Sequence, residues 1–223
     1  MKLALLACKM SGRISITVEE VANVATHGFG LIASVAALPV FLLFAARGGD
    51  LWAVIGAGIF GATLVSAYAA STVYHAMPSG PHKDRWLRLD QSAVYLLIAG
   101  TYTPFTLGAL RGPWGWSLFA LIWLGAFIGI CMRVRLGARR PKVENLTYLV
   151  MGWLVVVAID PLLARIGWAG VAWLFAGGVA YSLGVVFLSS GRRFGHCAWH
   201  VFVLAGSACH AVAVMGYAIN SAR

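Results

Sequence analysis

LWAVIGAGIFGATLVSAYAASTVYHAMPSGPH, residues 51–82, contains no Asp, Glu, Lys or Arg. A helix that is apolar all round has no face to offer water, so it belongs in a large core or a bilayer. A chain of 223 residues is too short to bury so much apolar material against itself, whereas about 20 such residues cross a membrane. Outward from this stretch, residues 27–46, 91–110, 112–132, 166–191 and 194–222 are equally free of charge, and 145–164 carries only Asp160, followed by Pro161. Trimmed by their Gly, Pro and charged flanks, these runs predict seven helices near 27–46, 52–75, 91–110, 114–132, 145–164, 167–189 and 196–219. The whole chain is 61% hydrophobic and 11% charged, where a soluble domain carries about 25% charged residues. The expected fold is an all-α integral membrane protein, a seven-transmembrane helix bundle with short connections.

The basic residues set its orientation. The leader holds Lys2, Lys9 and Arg13; the connection after the second span holds Lys83, Arg85 and Arg88; that after the fourth holds Arg133, Arg135, Arg139, Arg140 and Lys142; that after the sixth holds Arg192 and Arg193. Only Arg47, Arg111, Arg165 and Arg223 fall on the opposite side. Positive residues stay in the cytoplasm, which puts the N-terminus inside, the C-terminus outside and the protein in the cell (inner) membrane as a multi-pass chain. The net charge of +10 then reports topology and attraction to anionic lipid, not nucleic acid. Residues 1–26 read as a cytoplasmic or interfacial leader, because the apolar run Leu3–Cys8 is too short for a signal peptide, and residues 27–219 as one membrane domain. The four cysteines form no CxxC pair and read as structural thiols.

This orientation brings unusual residues to one depth. His75 ends the second span, Asp90 borders the third, and His196 with His200 opens the seventh, all at the cytoplasmic face. Ionisable groups bordering spans are costly and tend to be functional. His196 and His200, four apart, project from one helix face, the spacing by which a helix offers two imidazoles to a metal. With His75 they make a three-nitrogen set that suits Zn²⁺ with a fourth position open to water. Asp90 is placed to bind that water or to orient a ligand, and Ser71 lies one turn deeper than His75. The competing reading is a group of interfacial histidines bonded to headgroups and loop carbonyls. Glu19, Asn23 and His27 repeat every four residues, with Glu20 and Asn23 on an adjacent strip; such a stripe either faces solvent or packs against the site. His210, ten residues beyond His200, points to another sector and reads as a helix–helix hydrogen bond. His82, beside Pro81, reads as solvated.

These residues also carry a family resemblance. The leader Glu19-Glu20-Val-Ala-Asn23-Val-Ala-Thr26-His27-Gly28, the Ser71-x-x-x-His75 end of the second span, Arg88-Leu89-Asp90-Gln91-Ser92 and His196-x-x-x-His200 resemble the hemolysin III family, the bacterial branch of the progestin and adiponectin receptor superfamily. The similarity runs from about residue 18 to 219. It implies a seven-helix bundle with a cytoplasmic N-terminus. It implies zinc held by His75, His196 and His200, with Asp90 near the zinc-bound water and Ser71 beside the first ligand. Related members and alkaline ceramidases imply zinc-assisted hydrolysis of lipid amides; the name of the bacterial branch implies lysis or pore formation.

Three functions follow. In a zinc hydrolase of lipid amides, with a membrane lipid or lipid-derived substrate, Asp90 takes the proton of the water and Ser71 binds the developing oxyanion or the second nitrogen of a ligand histidine. A cytolytic pore is the alternative, although the spans lack the ring of charges that lines pores. In a regulator of membrane state, zinc would only tie the second span to the seventh. A retinal protein is excluded because the lysines, Lys2, Lys9, Lys83 and Lys142, all lie outside the spans.

Overall fold

In the computed structural model the residues described are 17–136 and 141–219. Lys2, Lys9, Arg13, Arg139, Arg140 and Arg223, which carry part of the orientation argument, lie outside them, as does Cys8. Every regular element among the described residues is helical: α1 (Val18–Ala46), α2 (Leu51–Ala76), α3 (Pro81–Pro104), α4 (Pro113–Leu136), α5 (Pro141–Trp153), α6 (Ile159–Ser189) and α7 (Gly195–Ala213). A π turn extends α3 over Phe105–Ala109, another extends α7 over Val214–Ala218, and a 3₁₀ turn, Leu154–Ala158, joins α5 to α6. Five helical runs are long and apolar enough to cross a membrane: Val18–Ala46, Leu51–Ala76, Pro113–Arg135, Val143–Ser189 and Gly195–Ala218.

Two helices begin earlier than the loss of charge suggests. α1 starts at Val18, where the Thr17 hydroxyl accepts the Glu20 N–H at 3.2 Å and Glu19 and Glu20 occupy the first turn. Both devices favour a helix start, by capping a free N–H and by meeting the positive helix end. α3 starts at Pro81, a residue suited to the first helical position, so Asp90 sits more than two turns inside the helix. A search for charge-free runs misses such amphipathic extensions.

Residues 143–189 form 47 residues of nearly continuous helix, about 70 Å if straight. Gly167 interrupts it with φ 65° and ψ 177°, a backbone shape that favours glycine. The run therefore bends at the position where the sequence separates the fifth and sixth spans. The 3₁₀ turn breaks it again. There the Tyr102 hydroxyl takes up the loose backbone groups: it stands 2.9 Å from Met151 O and 2.8 Å from Gly152 O, and accepts the Val155 N–H at 2.8 Å. In apolar surroundings such groups must be satisfied within the protein. Tyr102→Phe should cost about 1–3 kcal/mol, read as a lower melting temperature in detergent with secondary structure content unchanged.

α1 packs on both α2 and α7, and α6 packs along α7, so the first and last helices are neighbours. The buried residues of α1 are Asn23, His27, Gly30, Ser34, Phe41 and Ala45, three, four or seven apart, which is one stripe of a helix. Gly30 allows the close approach, since a β-carbon there would meet the Tyr68 ring at 2.7 Å and Leu204 at 2.8 Å. The polar half of that stripe faces the site.

Candidate metal centre

His75 comes from the last turn of α2, and His196 and His200 from the first turns of α7. His75 and His200 are buried and His196 partly so, and one ligand atom from each lies within 4.8 Å of the others. The Nε2 atoms of His75 and His196 are 3.2 Å apart. The rings stand edge to face, with centroids 4.7 to 4.9 Å apart. This group could hold a metal ion.

Hydrogen bonds behind the rings decide which nitrogens are available. The Nδ1 of His75 is 2.5 Å from Glu20 Oε2. A carboxylate only accepts, so Nδ1 carries the proton and Nε2 presents its lone pair. Lys83 Nζ donates to the other Glu20 oxygen at 2.5 Å and to Met77 O at 3.2 Å, fixing the carboxylate. The Nδ1 of His200 is 3.1 Å from Thr26 Oγ1. The proton of that hydroxyl is committed to the carbonyls of Ala22 and Asn23 at 2.9 and 3.0 Å, so Thr26 accepts from His200, whose Nε2 is likewise a lone pair. The His75 lone pair thus faces the His196 ring, Nε2 to Nε2 at 3.2 Å, with the His200 ring alongside at 4.7 Å between centroids. A cation between them would satisfy all three nitrogens at once. The donor set fits a metal that favours imidazole.

Around this centre lie Ser71, 1% exposed, and Asp90, whose carboxyl group neighbours the Ser71 hydroxyl. His27 Nδ1 is 2.7 Å from Ser71 Oγ, and its ring stacks on His200 with centroids 3.4 Å apart. Glu19 accepts the Phe194 N–H at 3.1 Å; Phe194 is the left-handed cap residue of α7, at φ 59°, so Glu19 secures the turn that delivers His196. Ser71, Asp90, His27, His196 and His200 line one end of a cavity of about 650 Å³, whose mostly apolar wall extends to Leu110, Leu118 and Leu162.

The five residues read from sequence, Ser71, His75, Asp90, His196 and His200, are therefore neighbours. The stripe Glu19, Asn23 and His27 packs against the site; the solvated alternative does not hold. Asn23 is 3% exposed and its amide nitrogen lies 3.4 Å from His75 Nδ1. The support given by Glu20 and Thr26 was not legible from sequence, although the four-residue polar repeat marks the helix face that supplies it. His210 is 3.2 Å from Leu174 O, a bond between α7 and α6. His82 is exposed, in the first turn of α3 rather than a loop.

Residues 16–211 match the protein-family model described as haemolysin-III related. The chain is 41% identical over 215 residues to Hemolysin-3 of Bacillus cereus, covering 96% of this chain and 98% of that one. It is 41% identical over 203 residues to the Hemolysin-3 homolog of Bacillus subtilis (strain 168), covering 91% and 95%. It is also 30% identical over 213 residues to the human Monocyte to macrophage differentiation factor, covering 91% of this chain and 86% of that protein.

Proposed function

This chain belongs to the haemolysin-III-related family, within the progestin and adiponectin receptor superfamily, and from that footing we propose that it is a zinc-dependent hydrolase of lipid amides. It is a multi-pass membrane protein, and we place it in the cell (inner) membrane with seven spans, the N-terminus in the cytoplasm and the C-terminus outside. The 47-residue run bent at Gly167 is long enough for two crossings, and α3 with its π turn supplies the remaining one beside the other four long helices.

The observation that carries the reading is the gathering of ligand atoms from His75, His196 and His200 within 4.8 Å of one another. Three nitrogens each about 2.0–2.1 Å from a tetrahedral zinc would stand roughly 3.3 Å from one another; the His75–His196 pair is at 3.2 Å, and the full set lies within 4.8 Å, so His200 would close in when the ion binds. The carboxylate behind His75 is a common support for a zinc-bound histidine. Zinc, when bound, supplies a Lewis acid and a water that ionises near neutral pH. Asp90 accepts the proton from the attacking water and returns it to the leaving amine, while the Ser71 hydroxyl donates to the oxyanion as it develops. The apolar length of the cavity houses the lipid tail and excludes bulk water. A zinc that merely tied α2 to α7 would leave Asp90, Ser71 and this cavity without a task, and an apolar cavity favours a lipid chain over the ion path of a cytolytic pore.

Purified protein should contain about one zinc per chain by elemental analysis and should release amine from at least one member of a lipid-amide panel. Absence of zinc would sink the metal assignment; zinc without hydrolysis would transfer the site to regulation. For topology, a single cysteine placed at Arg135 should react with impermeant reagent only after cells are opened. Glu20→Gln keeps the size of the side chain but weakens its hold on His75, and should lower zinc affinity about 10- to 100-fold in a chelator competition.

A further inference from the structure

His27 is 6% exposed, is not among the three converging histidines, and yet touches both halves of the site. Its ring lies flat on His200 at 3.4 Å and 11°, with the Tyr68 ring edge-on at 5.1 Å on another side. Its Nδ1 is 2.7 Å from Ser71 Oγ, and its Nε2 is buried with no hydrogen-bond partner. An unsatisfied polar atom in such a place is costly, and the contacts of the ring and of its other nitrogen must offset that cost.

The Ser71 hydroxyl differs from most of its kind in this bundle. Thr26, Ser34, Thr63, Ser66, Thr72, Thr101 and Thr103 each donate to a carbonyl three or four residues earlier in their own helices. The Ser71 hydroxyl instead meets side chains: it is bonded to His27 at one side and neighbours the Asp90 carboxyl group at the other. It has one proton for two neighbours. With Asp90 ionised the carboxylate accepts it, which makes His27 the donor, with the proton on Nδ1 and a lone pair on Nε2. The opposite arrangement would leave a buried N–H unpaired at Nε2, a rarer situation than an unpaired acceptor.

We propose that His27 is a positioning residue: its Nδ1–H fixes the Ser71 oxygen as acceptor and thereby aims the single Ser71 proton at Asp90 and the reacting centre. This rests on the hydrolase reading for its catalytic consequence, but not for its geometry. In the resting site Ser71 donates to Asp90. As negative charge gathers on the substrate oxygen, the same proton turns to it, which frees Asp90 to hold the proton taken from water. The bond from His27 persists through both states and strengthens the Ser71 donor, as bonds in a chain polarise one another.

Nitrogen NMR of full-length protein labelled with ¹⁵N-histidine, in detergent, tests the geometry without any assay of activity. The signal missing in His27→Phe identifies the residue. It should show the Nδ1–H tautomer and should shift in Ser71→Ala. An Nε2–H tautomer, or a signal indifferent to Ser71→Ala, overturns the proposal. With Co²⁺ loaded, His27 should show no through-bond contact shift; such a shift would make it a ligand and equally overturn the assignment. His27→Phe preserves a ring against His200, so it should retain zinc while lowering kcat about five- to tenfold, the worth of one net hydrogen bond, at unchanged KM. In the Ser71→Ala background the same replacement should have no further effect; a full additional loss would contradict the coupling. A wild type that hydrolyses no lipid amide refutes the hydrolase alone, because the tautomer measurement stands apart from it.

Discussion

His200→Ala should empty the metal centre: zinc content should fall from about one per chain to background, with affinity reduced by more than the roughly 100-fold that supporting groups command. The side chain is 1% exposed, and its Nε2 is one of the two lone pairs that the hydrogen bonds force toward the centre. Truncation also removes the ring on which His27 stacks and the donor to Thr26, so some loss of stability accompanies the loss of metal. His200→Gln separates the two effects, since it keeps bulk and a polar tip without the imidazole. A ligand that binds only the folded state stabilises it by about 2.7 kcal/mol at 100 times its Kd. The wild type should therefore melt at a higher temperature when zinc is added, and both variants should be indifferent to it. His82→Ala, at an exposed position on α3, should behave as wild type. Full zinc occupancy in both His200 variants would remove His200 from the ligand set.

Asp90→Asn should leave zinc in place and reduce lipid-amide hydrolysis by about 10²- to 10⁴-fold, the usual contribution of a positioned acid or base. Asparagine has the size of aspartate and can still accept from Ser71, so the geometry survives while the proton acceptor is lost. The loss should fall on kcat, because the role proposed for Asp90 is toward water rather than the lipid tail. Unchanged turnover in Asp90→Asn would exclude Asp90 as the base. Loss of zinc in the same variant would instead show it orienting a ligand. The contrast with His200→Ala is informative because one change removes the metal and the other removes only its use.

The sequence carries the apolar runs and the histidine spacing because both are local. A span needs about 20 consecutive residues and a helical pair needs four, so residues 51–82 and His196–His200 can be read without knowing what lies beside them. What sequence leaves unread is decided by packing between distant segments. Glu20 reaches His75 across 55 positions of chain and Thr26 reaches His200 across 174. The sequence shows a polar stripe on α1; only the meeting of α1 with α2 and α7 turns that stripe into support for two imidazoles. Helix starts went unread for a different reason. α1 and α3 begin in charged turns, capped by Thr17 and opened by Pro81, and charge alone does not end a helix. Tyr102 belongs to the first group: its role exists because α3 lies against the break that follows Trp153.

The separation of the histidines along the chain has a consequence for biosynthesis. His75 and His196 face each other across 121 positions, and His196 and His200 belong to the last helix described. A ribosome producing this chain completes α1 to α6, with Glu20 already able to meet His75, while the centre still has only one of its three imidazoles. Until α7 enters the membrane, the His75 lone pair faces the place that helix will occupy. On the proposed function, metal capture is then a terminal event of assembly. A chain stalled or cut before Gly195 would reach the membrane with most of its helices and only one of the three imidazoles.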